Sequence, residues 1–483
     1  MQLSAIQRIL GLLLMLFSIT MLPPVAVSFW YDDHTAESFL LGFALTLLAG
    51  FLCWLPVRSF RKELRLRDGF LIVVIFWTAL SMVSALPFML AEHPHMSFTD
   101  SVFESVSGFT TTGATVMVGL DHMPQSILYY RQQLQFLGGM GIVVLAVAIF
   151  PMLGIGGMQL YRAETPGPMK DNKLTPRITE TARALWYIYL GLTVACALAY
   201  WLAGMSLFDA IGHSFSTIST GGFSTHDASL GHFNSALIDA IATVFMLLGG
   251  FNFAVHFMAW RERDIRHYWR DAEALAFLGI VAAIIAIVVV TLMVTQKYPD
   301  IWSALRYGSL QVVTMITSTG FLTADFASWP LFLPALLMAI GFIGGCAGST
   351  AGGMKVVRIL LLYKQGIREI MRLIHPNAII PVKIGERSLP DRIVEAVWGF
   401  SVLYITSFVV LSLALMGTGL DVVTAFSGVA TCLNLGGPGL GAVTMNFTIV
   451  NDVGIWILSF AMLLGRLEIF TLLVLLTPAF WRK

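Results

Sequence analysis

The sequence predicts an all-α integral membrane protein. We expect about ten transmembrane helices, arranged as four pseudo-symmetric helix–pore-loop–helix repeats around a central pore and preceded by an N-terminal two-helix unit. Three observations predict this class: a very apolar composition, ten apolar stretches of membrane-spanning length, and a short motif that recurs four times. Of the 483 residues, 57% are hydrophobic and 12% are charged, whereas soluble domains contain about 25% charged residues.

Charge and cysteine content exclude other classes of protein. The formal net charge is +1, which leaves no basic surplus for a nucleic-acid partner. The four cysteines all lie in apolar runs, at Cys53, Cys196, Cys346 and Cys432. No disulfide framework is therefore expected.

Each predicted span has the length that a helix needs to cross the hydrocarbon core, about 20 apolar residues. The ten stretches cover residues 5–29, 37–57, 70–91, 133–160, 184–204, 235–260, 274–296, 331–363, 393–417 and 453–480. The first contains no convincing small-residue cleavage site, so we expect a retained span rather than a signal peptide.

The cations fall almost entirely on one side of this arrangement. Of the 29 lysines and arginines, all but four lie in the loops and termini on that side. The exceptions are Arg131, Lys297, Arg306 and Arg466. The positive-inside rule places the cation-rich side, with both termini, in the cytoplasm. We call the opposite side the outer face.

The recurring motif lies in the connections on the outer face between spans three and four, five and six, seven and eight, and nine and ten. The four segments are FESVSGFTTTG at 103–113, IGHSFSTISTG at 211–221, LQVVTMITSTG at 310–320 and FSGVATCLNLG at 426–436. They recur about every 100 residues, which indicates an internal repeat. The predicted units are residues 1–68, 69–162, 163–262, 263–372 and 373–483.

These segments are too short to cross a membrane and too apolar for an aqueous loop. We therefore predict a helix that enters from the outer face and an irregular return, which the membrane tolerates only inside protein or beside water. Four returns around one axis would form a ring of backbone carbonyls that replaces the hydration shell of a cation. The helix C-termini would add partial negative charge at its centre. The candidate ion ligands are Thr111, Thr112, Gly113, Ser219, Thr220, Gly221, Ser318, Thr319, Gly320, Asn434, Leu435 and Gly436.

The second span of each repeat carries a small-residue pair at matching depth. The pairs are Gly138-Gly139, Gly249-Gly250, Gly344-Gly345 and Gly465-Arg466. Arg466 is predicted to lie in mid-span, where a charge needs a partner or water. We expect it to form a barrier or a gate beneath the carbonyl ring, with an acidic or carbonyl partner. Glu468 could be that partner only through a bend, and a buried ion pair that fixes helix packing is the alternative.

The third repeat departs from the others at residues 341–353, which read GFIGGCAGSTAGG. Six glycines in this run are incompatible with a stable continuous helix, so we predict an intramembrane loop that opens and closes the path. A packing crossover is the alternative. The candidate gate residues are Gly341, Gly344, Gly345, Gly348, Gly352, Gly353, Lys355 and Arg466.

These motifs resemble the TrkH/TrkG-type potassium uptake family, in the superfamily that includes KtrB and fungal Trk transporters. The resemblance rests on TTTGAT, ISTGGF, TSTGF, NLGGPG, the glycine-rich break and GRLEIF. It implies K⁺ as the transported ion, no organic cofactor on this chain, and a homodimer in the bacterial inner membrane. It also implies a cytosolic ring of TrkA-type NAD/ATP-binding regulatory subunits, and a gate formed by the glycine-rich loop and the arginine. No segment reads TVGYG, so minor transport of Rb⁺, Cs⁺ and Na⁺ is expected.

Two other classes of function compete with K⁺ transport through a pore. A proton- or sodium-coupled symporter with alternating access would show inverted repeats and paired broken helices, whereas here one broken span is expected. Its relay candidates are Glu104, His213, His256 and Glu468. A membrane enzyme is not expected, because the sequence contains no HExxH, no GxSxG and no paired carboxylates at helical spacing within an apolar span. The basic segments 162–183, 261–270 and 364–392 suit a cytosolic partner or anionic lipid equally well.

Overall fold

The structure is a computed structural model that describes residues 2–60, 66–144, 178–385 and 387–482. The first described part contains α1 (Leu3–Ser18), α2 (Leu22–Tyr31) and α3 (Ala36–Trp54). Helices α1 and α3 approach closely at two glycines, since a Cβ on Gly11 or Gly50 would lie within 2.8 Å of atoms of the other helix. Small residues of this kind let membrane helices pack backbone to backbone.

The remaining helices surround the four motif segments in turn. Around the first are α4 (Leu66–Ser84), α5 (Leu86–Leu90), α6 (Phe98–Phe109) and α7 (Gln125–Val144). Around the second are α8 (Ile178–Leu202), α9 (Leu207–Ile218), α10 (Ala236–Gly250), α11 (Phe253–Glu262) and α12 (Arg266–Arg270). Around the third are α13 (Ala272–Val294), α14 (Ile301–Ile316), α15 (Leu333–Gly341) and α16 (Val356–Ile374).

The last part begins with a small hairpin and continues as helices. Strands β1 (Lys383–Ile384) and β2 (Arg387–Ser388) pair antiparallel, with Lys383 opposite Ser388. The helices are α17 (Asp391–Met416), α18 (Val422–Asn434), α19 (Asp452–Arg466), α20 (Phe470–Leu476) and α21 (Pro478–Trp481). The described residues are otherwise helix, turns and irregular returns, which confirms the all-α fold class.

Among the described residues, six segments are long and apolar enough to cross a membrane without a sharp bend. They are Leu3–Tyr31, Ala36–Val57, Asp68–Leu90, Ala182–Leu202, Ala272–Val294 and Asp391–Met416. Two further pairs pass the same test but are bent: α10 with α11 by 96°, and α19 with α20 by 116°. The protein is therefore an integral membrane protein, and these eight segments match eight of the ten predicted spans. Of the other two, 133–160 runs beyond the described residues, and 331–363 is interrupted between α15 and α16.

The bends correct the prediction that only one span is broken. Residues 235–260 and 453–480 were each expected to be continuous helices, but the first turns sharply at Phe251 and Asn252 and the second after Arg466. Asn252 caps α11 by accepting the N–H of Ala254 at 2.8 Å. Glu468 and Ile469 have φ values of 53° and 51°, which an α-helix cannot contain. Arg466 thus lies at the bend of this span, at the end of α19, and not within a continuous helix.

Four short helices, α6, α9, α14 and α18, begin with the same kind of N-cap. The side chains of Ser97, Ser206, Asp300 and Asp421 each accept the backbone N–H three residues further on. These helices contain 12 to 16 residues, about 18 to 24 Å at 1.5 Å per residue, which is too short to cross the core. Each is followed by an irregular return, as the sequence predicts.

Candidate cation pathway

All four short helices end in the same turn. The N–H groups of Thr112, Gly221, Thr319 and Gly436 donate to the carbonyl groups five residues earlier, each at 2.8 Å. The residue before each donor has a left-handed backbone: φ is 57° at Thr111, 53° at Thr220, 54° at Ser318 and 62° at Leu435. This is the turn that commonly terminates a helix, and its repetition shows which residues of the four segments correspond.

A second left-handed residue follows two positions later and is always glycine. The φ values are 81° at Gly113, 80° at Gly222, 87° at Gly320 and 75° at Gly437. The four motif segments end at Gly113, Gly221, Gly320 and Gly436. The prediction that these four glycines are equivalent is therefore wrong by one residue in the second and fourth segments. Both segments contain two adjacent glycines, and the second of each pair has the left-handed backbone. Ser219 and Asn434 correspond instead to Thr110 and Thr317, at the helix ends.

These glycines close the four segments into a ring. A Cβ on Gly113 would lie 2.2 Å from the carbonyl oxygen of Gly221, and one on Gly222 would lie 1.9 Å from that of Thr319. A Cβ on Gly320 would lie 2.6 Å from the oxygen of Gly436, and one on Gly437 would lie 3.1 Å from that of Thr112. Each segment thus contacts the next, and the fourth contacts the first. The left-handed backbone favours glycine at all four positions, and at Gly113, Gly222 and Gly320 an added Cβ would also overlap a neighbouring carbonyl oxygen.

The ring borders a cavity on the outer face. Gly113, Gly222, Gly320 and Gly437 all line this cavity. One carbonyl oxygen of each segment, at Thr112, Gly221, Thr319 and Gly436, lies against the left-handed glycine of a neighbouring segment. The arrangement can therefore present several backbone oxygens around one axis.

The glycine-rich loop between α15 and α16 lies directly beneath three of the four segments. Thr350 Oγ1 lies 3.0 Å from the carbonyl oxygens of both Ile218 and Gly249. The N–H of Gly352 donates to Ser318 Oγ at 2.5 Å, and a Cβ on Gly352 would lie 2.0 Å from the carbonyl oxygen of Asn434. The predicted break in the helix is therefore present, and its residues touch the second, third and fourth segments.

The other glycines and Lys355 give the loop its shape. Left-handed φ values occur at Gly344, Gly348 and Gly353, at 75°, 71° and 74°. Gly345 packs against Gly250, whose carbonyl oxygen would be 2.9 Å from an added Cβ, whereas Gly341 has no neighbour closer than 3.7 Å. Lys355 Nζ donates to the carbonyl oxygen of Ala351.

The buried carboxylate of Glu273 holds the middle of the loop and the start of α16. Its Oε1 accepts the N–H of Ala347 at 2.7 Å and the N–H of Val357 at 3.3 Å. Glu273 lies in the first turn of α13. The loop is thus fixed to a helix outside the four-segment ring.

Arg466 connects this loop to the first segment. Its side chain is 3% exposed, with Nη1 donating to the carbonyl oxygen of Thr350 at 3.1 Å and Nη2 to that of Gly138 at 3.3 Å. Gly138 in turn packs against Phe109, whose carbonyl oxygen would be 1.9 Å from an added Cβ. Glu468 is not the partner of Arg466, because its Oε2 accepts from Arg358 Nη2 at 2.8 Å. The partners of Arg466 are backbone carbonyls, one of the two kinds expected.

A buried ion pair supports the return of the first segment. Arg131 Nε donates to Glu104 Oε1 at 2.7 Å, and the two side chains are 1% and 0% exposed. Both carboxylate oxygens of Glu104 accept from the hydroxyl of Thr115 at 2.9 Å. Arg131 also donates to Thr115 Oγ1 at 3.0 Å and to the carbonyl oxygen of Ser224 at 3.3 Å. No motif in the sequence connects Arg131 with the ring.

In the second repeat, His213 occupies the position that Glu104 occupies in the first. His213 Nδ1 donates to the carbonyl oxygen of Asp209 at 2.9 Å, so Nε2 must accept from Ser224 Oγ, also at 2.9 Å. His256 likewise has two partners, the carbonyl of Leu248 and the hydroxyl of Tyr268. With Glu468 and Glu104 paired as above, every residue considered as a proton relay has a hydrogen-bonding partner.

Sequence reasoning missed a set of four buried hydroxyls. Ser107, Ser216, Thr314 and Thr431 are equivalent, because each carbonyl accepts the turn hydrogen bond in its own segment. All four side-chain hydroxyls lack a hydrogen-bond partner among the described residues, and buried hydroxyls normally need one. The signal that could have revealed them is a Ser or Thr in every segment, five residues before the N–H group that closes the turn.

On the outer face, two loops meet through charged groups. His226 Nδ1 lies 2.5 Å from Asp121 Oδ1 and Nε2 lies 3.5 Å from Asp209 Oδ1. The hydrogen bond with His226 lowers the pKa of Asp121 below its ordinary value. Burial opposes protonation of His226, but the hydrogen bonds with Asp209 and Asp121 outweigh it, and the pKa of the imidazole is raised.

Four re-entrant helices whose returns close into one ring, within a single multi-span chain, define a membrane protein of the pore-helix class that handles ions. A family described as "TrkH: Cation transport protein" matches residues 35–483. The chain belongs to this family, and the resemblance drawn from its motifs is confirmed.

Similar proteins cover the whole chain. The Trk system potassium uptake protein TrkH of Halomonas elongata is 56% identical over 483 residues, all of both chains. The TrkG protein of Escherichia coli strain K12 is 42% identical and covers 98% of this chain and 97% of its own. The crystal structure of the potassium transporter TrkH from Vibrio parahaemolyticus superposes over 100% of both chains, with a TM-score of 0.93 and 53% identity. These relatives are named as transport proteins and not as enzymes, in agreement with the expectation from the sequence.

Proposed function

We propose that the chain takes up K⁺ across the bacterial inner membrane through the ring of four segments. The observation that carries the proposal is the closed contact of Gly113, Gly222, Gly320 and Gly437 with neighbouring carbonyls. A ring of oxygens replaces the hydration shell of a monovalent cation, and this requires no covalent chemistry. The names of the full-length relatives supply K⁺ as the ion.

The corrected correspondence changes the proposed ligands slightly. The carbonyls of Thr111, Thr112 and Gly113, and those of Ser318, Thr319 and Gly320, remain candidates. In the second segment the set becomes Thr220, Gly221 and Gly222, and in the fourth Leu435, Gly436 and Gly437. Ser219 and Asn434 then belong to the helix ends and not to the ring.

The glycine-rich loop and Arg466 together form the proposed gate. The loop contacts Ser318, Thr220 and the backbone at Asn434 from below. Arg466 adds a buried positive charge next to the first segment. The loop contacts the second, third and fourth segments, and Arg466 contacts Gly138, which packs against the first segment. A cation that leaves the ring must therefore displace the loop and Arg466, and this arrangement is the closed form of the path.

The proposed assembly is a homodimer that binds a cytosolic TrkA-type nucleotide-binding subunit, with both termini in the cytoplasm. Helix α16 exposes apolar side chains that a second copy could cover, including Tyr363, Ile370, Leu373 and Ile374. Exposed arginines at 261, 263 and 270 offer a basic surface for the partner. Anionic lipid would suit the same surface.

The test is ⁸⁶Rb⁺ uptake into sealed liposomes that contain the purified chain alone, with an imposed K⁺ gradient. We expect uptake driven by that gradient, with or without a pH gradient. Uptake that occurs only with a proton or sodium gradient would instead establish the coupled symporter. The three broken spans remove one argument against that alternative, so this comparison decides between the two functions.

A further inference from the structure

Three metal-binding side chains meet on the outer face, away from the ring. Asp121 follows the first segment, and His226 and His232 follow the second. One ligand atom from each lies within 4.8 Å of the other two. We propose that this cluster binds Zn²⁺, ties the two outer loops together and slows the access of cations to the ring. Zn²⁺ binding stands independently of the proposed function, whereas the effect on cation access rests on it.

The chemistry of the donors selects the metal. Two imidazoles and one carboxylate are a frequent zinc ligand set, with water as the fourth ligand. K⁺ and other hard cations prefer oxygen donors, so the transported ion does not compete for this site. Zinc would draw the ligand atoms to about 3.3 Å from one another, the edge of a tetrahedron with bonds of about 2.0 to 2.1 Å. Asp121, with a side chain 41% exposed, and exposed His232 have room for that movement.

The cluster is already organised for such an ion. His226 Nδ1 faces Asp121 Oδ1 at 2.5 Å, so zinc would replace the proton between them. The other nitrogen of the ring lies 3.5 Å from Asp209 Oδ1, and a carboxylate in this position orients histidine ligands in many metal sites. Asp209 is itself held by Thr225 and Ser206, each at 2.7 Å. The His232 ring stacks on the His226 ring with centroids 3.5 Å apart and planes 2° apart, so the exposed His232 ring must turn out of this stack for both imidazoles to bind one ion.

The position of the cluster connects it to the ion path. His226 and Asp227 line the same outer cavity as the four ring glycines. The N–H of Gly119 donates to Asp227 Oδ1 at 3.0 Å, so the two loops already touch. A bound dication here would repel a monovalent cation in the cavity.

Binding is tested by calorimetric titration of the full chain, purified without a polyhistidine tag, with ZnCl₂. We expect one site per chain, and at least tenfold weaker binding in His232→Gln and in Asp121→Asn. The matched control is His95→Gln, an exposed histidine in another outer loop, which should bind as the parent does. The absence of a saturable site, or equal affinity in all three variants and the parent, would overturn the proposal.

The effect on access is tested with the same variants in proteoliposomes. External Zn²⁺ should slow ⁸⁶Rb⁺ uptake by the parent and by His95→Gln at least several-fold, and should not slow uptake by His232→Gln. Zinc that binds without slowing uptake contradicts the effect on access. If the parent transports no Rb⁺ at all, the proposed function fails, while the calorimetry still decides whether the zinc site exists.

Discussion

At the scale of single residues, the ring depends on glycines that serve two purposes. Gly113 has a left-handed backbone and also leaves room for the Gly221 carbonyl, whereas Gly119 has a similar φ of 73° with nothing within 4 Å of an added Cβ. Alanine at either position costs about 1–2 kcal/mol of backbone strain. Only alanine at Gly113 would also push a neighbouring segment away.

We therefore expect Gly113→Ala to lower the preference for K⁺ over Na⁺ by about tenfold or more, which corresponds to about 1.4 kcal/mol. Gly119→Ala should keep that preference within about twofold. The measurement is competition of Na⁺ with ⁸⁶Rb⁺ uptake in proteoliposomes. Equal behaviour of the two variants would count against the carbonyl ring.

Arg466 tests the proposed gate at the same scale. Two unit charges about 6 Å apart interact by about 3 kcal/mol at an effective dielectric constant of about 20. If Arg466→Ala removes half of that barrier, basal ⁸⁶Rb⁺ flux should rise about tenfold. Arg183→Ala, which removes an exposed cation, is the control. An unchanged flux in a folded Arg466→Ala protein would show that this arginine only fixes packing.

Residue identity was predictable from the sequence only in part. The pattern located all four turns and also Arg466, because four occurrences in phase are unlike chance. It could not choose between Gly221 and Gly222, or between Gly436 and Gly437, because adjacent glycines are equivalent until the backbone dihedral angles are known. The carbonyl partners of Arg466 are likewise invisible in a sequence, since backbone groups carry no residue type.

At the scale of elements, the return of each segment is held by its own supports. In the first, Arg131 and Glu104 form a buried pair that also holds Thr115. Breaking such a pair from one side leaves an uncompensated charge and costs about 3–5 kcal/mol. Replacing both members avoids that penalty.

Glu104→Gln should therefore lower the free energy of unfolding by about 3–5 kcal/mol. It should also weaken the preference for K⁺, because an NH2 group replaces one of the two carboxylate oxygens that accept from Thr115. Glu104→Gln combined with Arg131→Gln should recover part of the stability, and Glu37→Gln, in an exposed position, should change neither property. Thermal unfolding in detergent and the ⁸⁶Rb⁺ competition assay measure the two effects. A double variant as unstable as the sum of the single variants would contradict the pairing.

Elements were predicted well where length and polarity decide them. The short helices α6, α9, α14 and α18 follow from apolar segments too short to span, and the break after α15 follows from its glycines. The bends at Phe251 and after Arg466 were missed because those stretches remain apolar on both sides. Hydropathy reports depth in the membrane and carries no information on direction.

At the scale of the whole molecule, four segments distant in sequence meet at one axis, and the proposed ion path depends on that meeting. The loop lies against the ring, Arg466 contacts the loop and Gly138, and His226 of the outer cluster lines the same cavity as the ring glycines. The fold class and the family were accessible from the sequence, because composition and repetition are global properties. The closure of the ring was not, since contacts between segments about 100 residues apart appear only in the folded chain.

The most direct test of the central claim is anomalous diffraction from crystals of this chain grown with Rb⁺ in place of K⁺. We predict an anomalous peak on the axis enclosed by the carbonyls of Thr112, Gly221, Thr319 and Gly436, within coordination distance of at least the first and third. Rubidium bound elsewhere in the protein, with no peak inside the ring, would contradict the claim that these four segments carry the ion.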